Sequence, residues 1–205
     1  MFTGITLGTF AVTRVERKPD LLRYAVALPV ALREGLRTGA SVAIDGVCQT
    51  VVAIEGDDVV FEAIRETLDK TTLDALVRGA AVGVERSYRI GDELGGHEVA
   101  GHVTCTGTIE AVRREGDVCN LRVAVPSALM RYILPKGFIA IDGSSLTVGA
   151  TDARGSFDLH LIPETVRLTN LGTKRAGGRV NVELDARTVA IVDTVERVLA
   201  ARAAT

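Results

Sequence analysis

Short runs of alternating apolar and polar residues, separated by glycine-rich turns, dominate the chain. In the first ninety residues they predict strands at residues 1–15, 22–28, 41–44, 47–54, 59–64 and 80–85. Ala31, Leu32 and Leu36 lie at one-turn spacings and predict a short helix, and residues 68–76 can hold a helical turn. The pattern therefore predicts a small antiparallel unit of about six strands.

The second half of the chain repeats the first. Residues 44–51, IDGVCQTV, recur as IDGSSLTV at residues 141–148, a shift of 97 positions. Farther along, the shift is 98, and we expect the added residue in the hairpin loop around residues 152–156, where insertions cost little. Two short antiparallel sheets would each expose edges unless they closed. The repeat thus predicts an all-β fold of two small closed barrels.

A long helix is predicted only at the end of the chain. Over residues 186–203, Val189, Val192, Val195 and Leu199 form a stripe at three- and four-residue intervals that has no equivalent after the first repeat. Asp185 is a candidate N-cap for this helix. We expect domains at residues 1–90 and 91–186 and a helix at 187–205 that packs against a neighbouring chain.

Composition narrows the possible classes of function. Among 205 residues the formal net charge is −2 and 47% are hydrophobic, which favours two cores and gives no reason to expect nucleic acid or a membrane as a partner. No export signal and no apolar run of about 18 residues is present, so a cytoplasmic location is expected. The three cysteines, Cys48, Cys105 and Cys119, fit neither a disulfide framework nor zinc spacing, and we expect reduced thiols.

One reactive position differs between the two repeats. Cys48 and Thr50 of the first correspond to Ser145 and Thr147 of the second, so a thiol replaces a hydroxyl in a preserved frame. The thiol could serve as a nucleophile, or it could pack as a small apolar group. Asp45 and Asp142 precede the turn glycines and are expected to make Asx-type hydrogen bonds within the turn.

The two histidines of residues 95–102, GGHEVAGH, raise a different question. His97 and His102 are five positions apart, a spacing that puts them on one face of neither a helix nor a strand, and we expect no metal site. His102 occupies the position of Ile5 in the first repeat. It is either a proton carrier in a pocket or a buried, hydrogen-bonded histidine.

Five motifs, taken together and in order, resemble the riboflavin synthase family. They are MFTGI at the start, GGH-x-x-x-GH at 95–102, IDG-x-SLT at 141–147, HLIPET at 160–165 and VDTVER at 192–197. The resemblance implies two tandem Greek-key six-stranded barrels, a C-terminal helix and a homotrimer. It also implies that two molecules of 6,7-dimethyl-8-ribityllumazine exchange a four-carbon unit, giving riboflavin and 5-amino-6-(D-ribitylamino)uracil. No metal or separate cofactor is implied.

The resemblance also assigns residues to the site. The implied catalytic residues are Phe2, Ser41, Cys48, His102, Ser145, Thr147 and Asp185. The implied substrate-binding residues are Gly4, Ile5, Thr6, Gln49, Thr50, Glu62, Ala63, Ile64, Thr67, Gly101, Val103, Lys136, Leu146, Ile162, Pro163, Glu164 and Thr165, in segments that extend to Arg167. Gln49 departs from the apolar residue that is usual in the family, and its side chain is expected to point away from Cys48 and Thr50.

Each repeat is expected to supply one half-site. Ile5 and Cys48 would belong to one half-site and His102 and Ser145 to the other, and the reactive site would form where half-sites of neighbouring chains meet. Association with lumazine synthase is a further expectation from the family. The alternative is a lumazine- or flavin-binding protein of the same fold that performs no chemistry.

Overall fold

The first six strands lie between residues 9 and 86 and close into one barrel. The structure is a computed structural model that describes residues 1–116 and 118–204. The strands are β1 (Thr9–Lys18), β2 (Leu21–Ala27), β3 (Ser41–Ile44), β4 (Val47–Glu55), β5 (Asp58–Ile64) and β6 (Ala81–Arg86). Two short helices, α1 (Val30–Arg33) and α2 (Arg65–Lys70), connect them, and a 3-10 turn follows at Thr72–Ala75.

The second barrel repeats this arrangement. Its strands are β7 (Cys105–Glu115), β8 (Val118–Ala124), β9 (Phe138–Ile141), β10 (Ser144–Asp152), β11 (Ser156–Leu161) and β12 (Arg179–Leu184). Helix α3 (Pro163–Leu168) lies between β11 and β12, with 3-10 turns at Ser127–Tyr132 and Asn170–Thr173, and helix α4 (Ala186–Ala203) follows β12.

Strand order confirms the predicted all-β fold with Greek-key topology. The first barrel runs β1-β2-β5-β4-β3-β6, and the second has the equivalent order, with antiparallel pairing throughout. The added residue also lies where it was expected. Residues 56–57 join β4 to β5, whereas residues 153–155 join β10 to β11.

The prediction of a strand from residue 1 was wrong for residues 1–8. Only Phe2 forms a bridge there, and its partner is Val99, which precedes the second barrel. Gly4 has φ +75° and the equivalent Gly101 has φ +78°, a left-handed conformation that interrupts an extended ladder. Residues 1–8 and 98–104 therefore run along the junction of the two barrels, and we call them the first and second strap.

The two barrel interiors hold different side chains at equivalent positions. Gln49 is buried in the first barrel, where the Tyr24 hydroxyl donates a hydrogen bond to its Oε1 (3.1 Å) and its Nε2 donates to the Cys48 carbonyl (3.0 Å). The equivalent positions of the second barrel are Leu121 and Leu146, both buried in its core. The expectation that the Gln49 side chain points away from Cys48 and Thr50 is confirmed.

The two Asp-Gly turns pack against each other at the junction. A Cβ atom added to Gly143 would lie 2.8 Å from the Gly46 backbone. The Asx-type hydrogen bonds expected for Asp45 and Asp142 were wrong. Both residues have φ +44°, and their carboxylates instead accept from a strand amide, Gly83 N–H for Asp45 (2.6 Å) and Asn181 N–H for Asp142 (2.7 Å).

A lysine makes this buried junction asymmetric. Lys174 Nζ lies 2.9 Å from Asp142 Oδ2, so the ion pair favours the ionised form of Asp142. Burial, followed by the charge of Asp142, raises the pKa of Asp45 to about 7. Burial raises the pKa of Asp142 as well, and the charge of Lys174 opposes that rise.

Helix α4 has one docked side and one exposed apolar side. Asp185 accepts a hydrogen bond from Thr188 N–H (2.9 Å), which confirms it as the N-cap. Val189 and Val192 pack against the core of the second barrel. Ile191 is 65% exposed and Leu199 is 59% exposed. None of the helices in residues 1–116 and 118–204 combines the length and the hydropathy of a membrane-spanning segment.

Candidate active site

Strands β4 and β10 present the four small polar residues singled out by the repeat. Cys48 and Ser145 are half-buried, and Thr50 and Thr147 are exposed, on the outer faces of their barrels. The residues between them, Gln49 and Leu146, point inward. The period-two alternation of the strand thus separates site-facing from core-facing side chains.

Each strap crosses from its own barrel to the polar strand of the other. Ser145 N–H donates to the Gly4 carbonyl (2.8 Å), and Cys48 N–H donates to the Gly101 carbonyl (2.9 Å). Val103 packs against the core of the first barrel, and the Thr6 hydroxyl lies 2.8 Å from the hydroxyl of Ser144 in the second. The expected grouping of Ile5 with Cys48 and of His102 with Ser145 was therefore wrong.

The first half-site consists of β4 of the first barrel and the second strap. A Cβ atom added to Gly101 would lie 2.6 Å from Cys48 Cβ, so the strap rests directly on the cysteine. His102 follows Gly101 and is exposed, which excludes the alternative of a buried histidine. Phe2, Ala43, Val99 and Ala140 form a buried apolar cluster against which Cys48 packs.

The second half-site consists of β10 and the first strap, and it contains a histidine that sequence reasoning did not assign to it. A Cβ atom on Gly4 would lie 2.5 Å from Ser145 Cβ. His97 Nδ1 lies 2.6 Å from Ser145 Oγ, and its ring stacks on Phe138 with centroids 5.1 Å apart. Burial lowers the pKa of His97, which favours a neutral ring as a hydrogen-bond partner of Ser145.

The remaining expected catalytic residues lie around these two centres. Phe2 is fully buried and exchanges two backbone hydrogen bonds with Val99 (2.7 and 3.0 Å). Ser41 lies directly opposite Thr50 on the neighbouring strand. Burial opposes ionisation of Asp185, but hydrogen bonds from Thr188 and the Arg187 backbone, together with His97, lower its pKa. A lowered pKa keeps Asp185 ionised as the helix cap.

The expected substrate-binding residues separate into outward and inward groups. The inward side chains are those of Gln49, Ala63 and Leu146, which can reach an outer ligand only through their backbones. The outward residues are Ile5, Thr50, Glu62, Ile64, Thr67, Lys136, Ile162, Pro163, Glu164, Thr165 and Arg167. Around the second half-site, Lys136, Thr147, Gly149 and His160 line a shallow pocket.

Equivalent residue pairs on the outer faces of the two barrels differ in chemistry. Glu62 forms an ion pair with Arg23 (2.6 Å) in the first barrel. At the equivalent position of the second barrel, His160 Nδ1 lies 2.6 Å from Asn120 Oδ1.

Within residues 1–116 and 118–204, no group of three or more histidine, cysteine or acidic side chains is arranged to hold a metal ion.

A family model and several known proteins match nearly the whole chain. The family model described as the lumazine binding domain matches residues 3–87 and again residues 100–185. The riboflavin synthase of Escherichia coli (strain K12) is 48% identical over 204 residues, which cover 98% of this chain and 95% of that protein. The riboflavin synthase of Buchnera aphidicola subsp. Schizaphis graminum is 40% identical over 97% of this chain and 96% of its own.

Solved structures of LumP share the fold. LumP complexed with riboflavin superposes with a TM-score of 0.84 at 27% identity, covering 90% of this chain and 100% of that chain. LumP complexed with 6,7-dimethyl-8-(1'-D-ribityl) lumazine gives a TM-score of 0.82 at 26% identity, covering 90% and 99%.

Proposed function

We propose a function from the premise that the chain belongs to the lumazine-binding family and, within it, to the riboflavin synthases. The chain is a transferase that moves a four-carbon unit between two molecules of 6,7-dimethyl-8-ribityllumazine. The products are riboflavin and 5-amino-6-(D-ribitylamino)uracil. A chromophore carrier without activity is not favoured, because the relatives that are 40–48% identical over nearly the whole chain are riboflavin synthases.

One observation carries the proposal, namely two equivalent half-sites that differ in their reactive group. A reaction between two identical substrates needs two similar surfaces, and these are β4 with the second strap and β10 with the first. Cys48 in one and the Ser145–His97 pair in the other allow the two substrates to be treated differently. One bound ring can then serve as the donor of the four carbons and the other as the acceptor.

The contribution of the protein is mainly to bring the rings together. The electron-poor ring makes a 7-methyl proton acidic, so delocalisation already stabilises the donor carbanion. Holding two rings in reactive contact can contribute on the order of 7 to 11 kcal/mol. We assign transient addition to the acceptor ring to Cys48 or a water. Orientation and proton transfer are assigned to His102, Ser145 and Thr147.

The exposed side of α4 supports a homotrimer. Ile191, Val195, Val198 and Leu199 are each about half exposed or more, and a helix of this length leaves such a stripe uncovered only at a cost. We propose that three copies of α4 pack together and that the first half-site of one chain meets the second half-site of the next. A cytoplasmic location and association with lumazine synthase are further proposals, tested by cell fractionation and by co-sedimentation.

Turnover of the lumazine by purified protein tests the function. Incubation with 6,7-dimethyl-8-ribityllumazine should produce riboflavin, followed by its absorbance and fluorescence, without added metal or oxidant. Binding of the lumazine without riboflavin formation would indicate a carrier and contradict the proposal. Absence of both would remove the lumazine as a ligand.

A further inference from the structure

Two buried glutamates hold the straps at their bends. Glu85, on β6, accepts hydrogen bonds from Thr3 N–H (2.6 Å), the Thr3 hydroxyl (2.7 Å) and Gly4 N–H (3.1 Å). Glu183, at the equivalent place on β12, accepts from Ala100 N–H (2.7 Å) and Gly101 N–H (3.0 Å). Glu85 is 5% exposed and Glu183 is 8% exposed, so water competes little for these bonds.

The residue that each glutamate holds is the one that contacts the opposite barrel. Gly4, held by Glu85 of the first barrel, accepts a hydrogen bond from Ser145 of the second. Gly101, held by Glu183 of the second barrel, accepts from Cys48 of the first. Each glutamate therefore positions a strap glycine that contacts the other barrel.

The carboxylate is required for this role because it accepts hydrogen bonds at both oxygens. A glutamine at either position would keep one acceptor and turn an NH2 group towards a backbone N–H, placing two donors against each other. Loss of a charge-assisted hydrogen bond would release one side of the strap from a buried site. The side-chain volume would barely change.

We propose that Glu85 and Glu183 are positioning residues, each of which sets the geometry of the half-site in the opposite barrel. Glu183 acts on the half-site of Cys48, and Glu85 acts on the half-site of Ser145. The ligand side of this inference, the effect of each glutamate on ligand binding, rests on the proposed function. Its backbone side, the effect of each glutamate on the position of its strap, rests on the protein contacts alone.

Reactivity of Cys48 towards a thiol reagent, mapped by peptide mass spectrometry, tests the backbone side without any ligand. Cys119 is buried and burial raises the pKa of Cys105 to about 11, so both should react more slowly than Cys48. Glu183→Gln should accelerate labelling of Cys48 about ten- to a hundredfold, as expected for loss of one charge-assisted hydrogen bond. Glu85→Gln, the matched control, should accelerate labelling of Cys48 much less, because Glu85 binds Thr3 and Gly4 and the first strap contacts Cys48 through the Phe2 cluster.

Riboflavin titration tests the ligand side. In the wild type, riboflavin should bind both half-sites and protect Cys48 from labelling. Glu183→Gln should weaken that protection, whereas Glu85→Gln should preserve it and weaken the other binding event in calorimetry. If Glu183→Gln does not fold, Glu183→Asp keeps the charge but shortens the side chain, and it is assessed by the same assays.

Equal effects of the two glutamine variants on Cys48, or no effect of either, would overturn the inference. A merely structural role predicts equal effects, because the two glutamates are equivalent in burial and strand position. Wild-type protein that makes no riboflavin from the lumazine would instead contradict the proposed function. The ligand-free labelling ratio would still decide the crossed positioning in that case.

Discussion

The first half-site places the Cys48 thiol beside an apolar cluster, whereas the second places the Ser145 hydroxyl against His97. Their frames are nevertheless the same. Each has a strand that alternates site-facing and core-facing residues, a strap from the other barrel with a left-handed glycine, and a glutamate that binds the strap. The comparison teaches that the repeat preserves the backbone parts of a site while the reactive side chains diverge.

The strap glycines offer the strongest way to break the shared frame. Gly101→Ala places a methyl group within 2.6 Å of Cys48 Cβ at φ +78°, and Gly4→Ala meets Ser145 in the same way. Because the backbone cannot keep its position, we expect turnover to fall about 100-fold in either variant. Steady-state kinetics measures this, and Gly39→Ala, at φ +87° with open space around it, is the control for backbone strain.

The crossed arrangement predicts where each glycine variant fails. Gly101→Ala should disturb ligand binding at Cys48, although residue 101 precedes the second barrel. If Gly101→Ala instead disturbed only the half-site of Ser145, the assignment of straps to half-sites would be refuted.

Helix α4 sharpens the comparison because, within residues 1–116 and 118–204, only the second barrel carries such a helix. The double variant Ile191→Glu/Leu199→Glu puts charge on the exposed apolar side and leaves Val189 and Val192 docked. We expect a shift towards monomer and at least about a tenfold loss of activity at low protein concentration. Light scattering alongside an activity titration measures both.

The control for this variant is Ala190→Glu, which lies half a turn round the helix from Leu199. It should change neither assembly nor rate. A monomeric double variant with full activity would mean that both substrates meet within one chain.

Replacing the two reactive groups separately tests whether the half-sites have different roles. Cys48→Ala should lower kcat about tenfold while changing riboflavin affinity little, because a thiol contributes weakly to ground-state binding. Ser145→Ala should affect both quantities, since it also removes the partner of His97. Equal losses of kcat and affinity in Cys48→Ala would make the cysteine a packing residue.

Sequence patterns predicted the strands well because a period of two is a local property. The helix at Ala186–Ala203 and the hairpin at residues 41–54 follow from spacing and turn residues alone. The destination of the straps could not be predicted in this way. An extended segment such as residues 1–8 has the same alternation whether it pairs in its own barrel or crosses to another.

Local sequence patterns also could not predict the hydrogen-bond partners of buried polar groups. Asp45 looks like a turn residue in sequence, yet its carboxylate binds Gly83 on another strand. His97 lies in a glycine-rich segment without periodicity, and its contact with Ser145 spans 48 positions. The glycines near His97 do indicate that another backbone approaches closely, because glycine tolerates left-handed conformations. They do not identify Ser145 as the partner.

The two buried carboxyl groups of the junction should make stability depend on pH, because burial raises the pKa of both Asp45 and Asp142. Between the ordinary pKa near 3.8 and the raised value of about 7, folded Asp45 binds more protons than the unfolded chain. The free energy of unfolding should therefore fall as pH rises through that window, by at most about 1.4 kcal/mol per pH unit. Above about pH 7 this contribution is lost and the dependence flattens.

Denaturant unfolding at several pH values measures this dependence. Asp45→Asn keeps an oxygen for Gly83 N–H and should reduce the slope. Asp142→Asn removes the partner of Lys174 and should destabilise the chain above pH 7 as well. An unchanged slope in Asp45→Asn would show that Asp45 does not contribute to the pH dependence.

The smallest expected effect concerns the polar pair inside the first barrel. Gln49→Leu recreates the apolar position of the second barrel but leaves the buried Tyr24 hydroxyl without its acceptor, at a cost of about 1 to 3 kcal/mol. Tyr24→Phe/Gln49→Leu removes both polar groups and should recover most of that stability, because it approaches the Leu121–Leu146 pair. Leu146→Gln alone is the reciprocal control and should destabilise the second barrel, where Leu121 offers no hydrogen bond. Denaturant unfolding at one pH ranks the variants. A single Gln49→Leu variant as stable as the double variant would mean that the Tyr24–Gln49 hydrogen bond does not contribute to the first barrel.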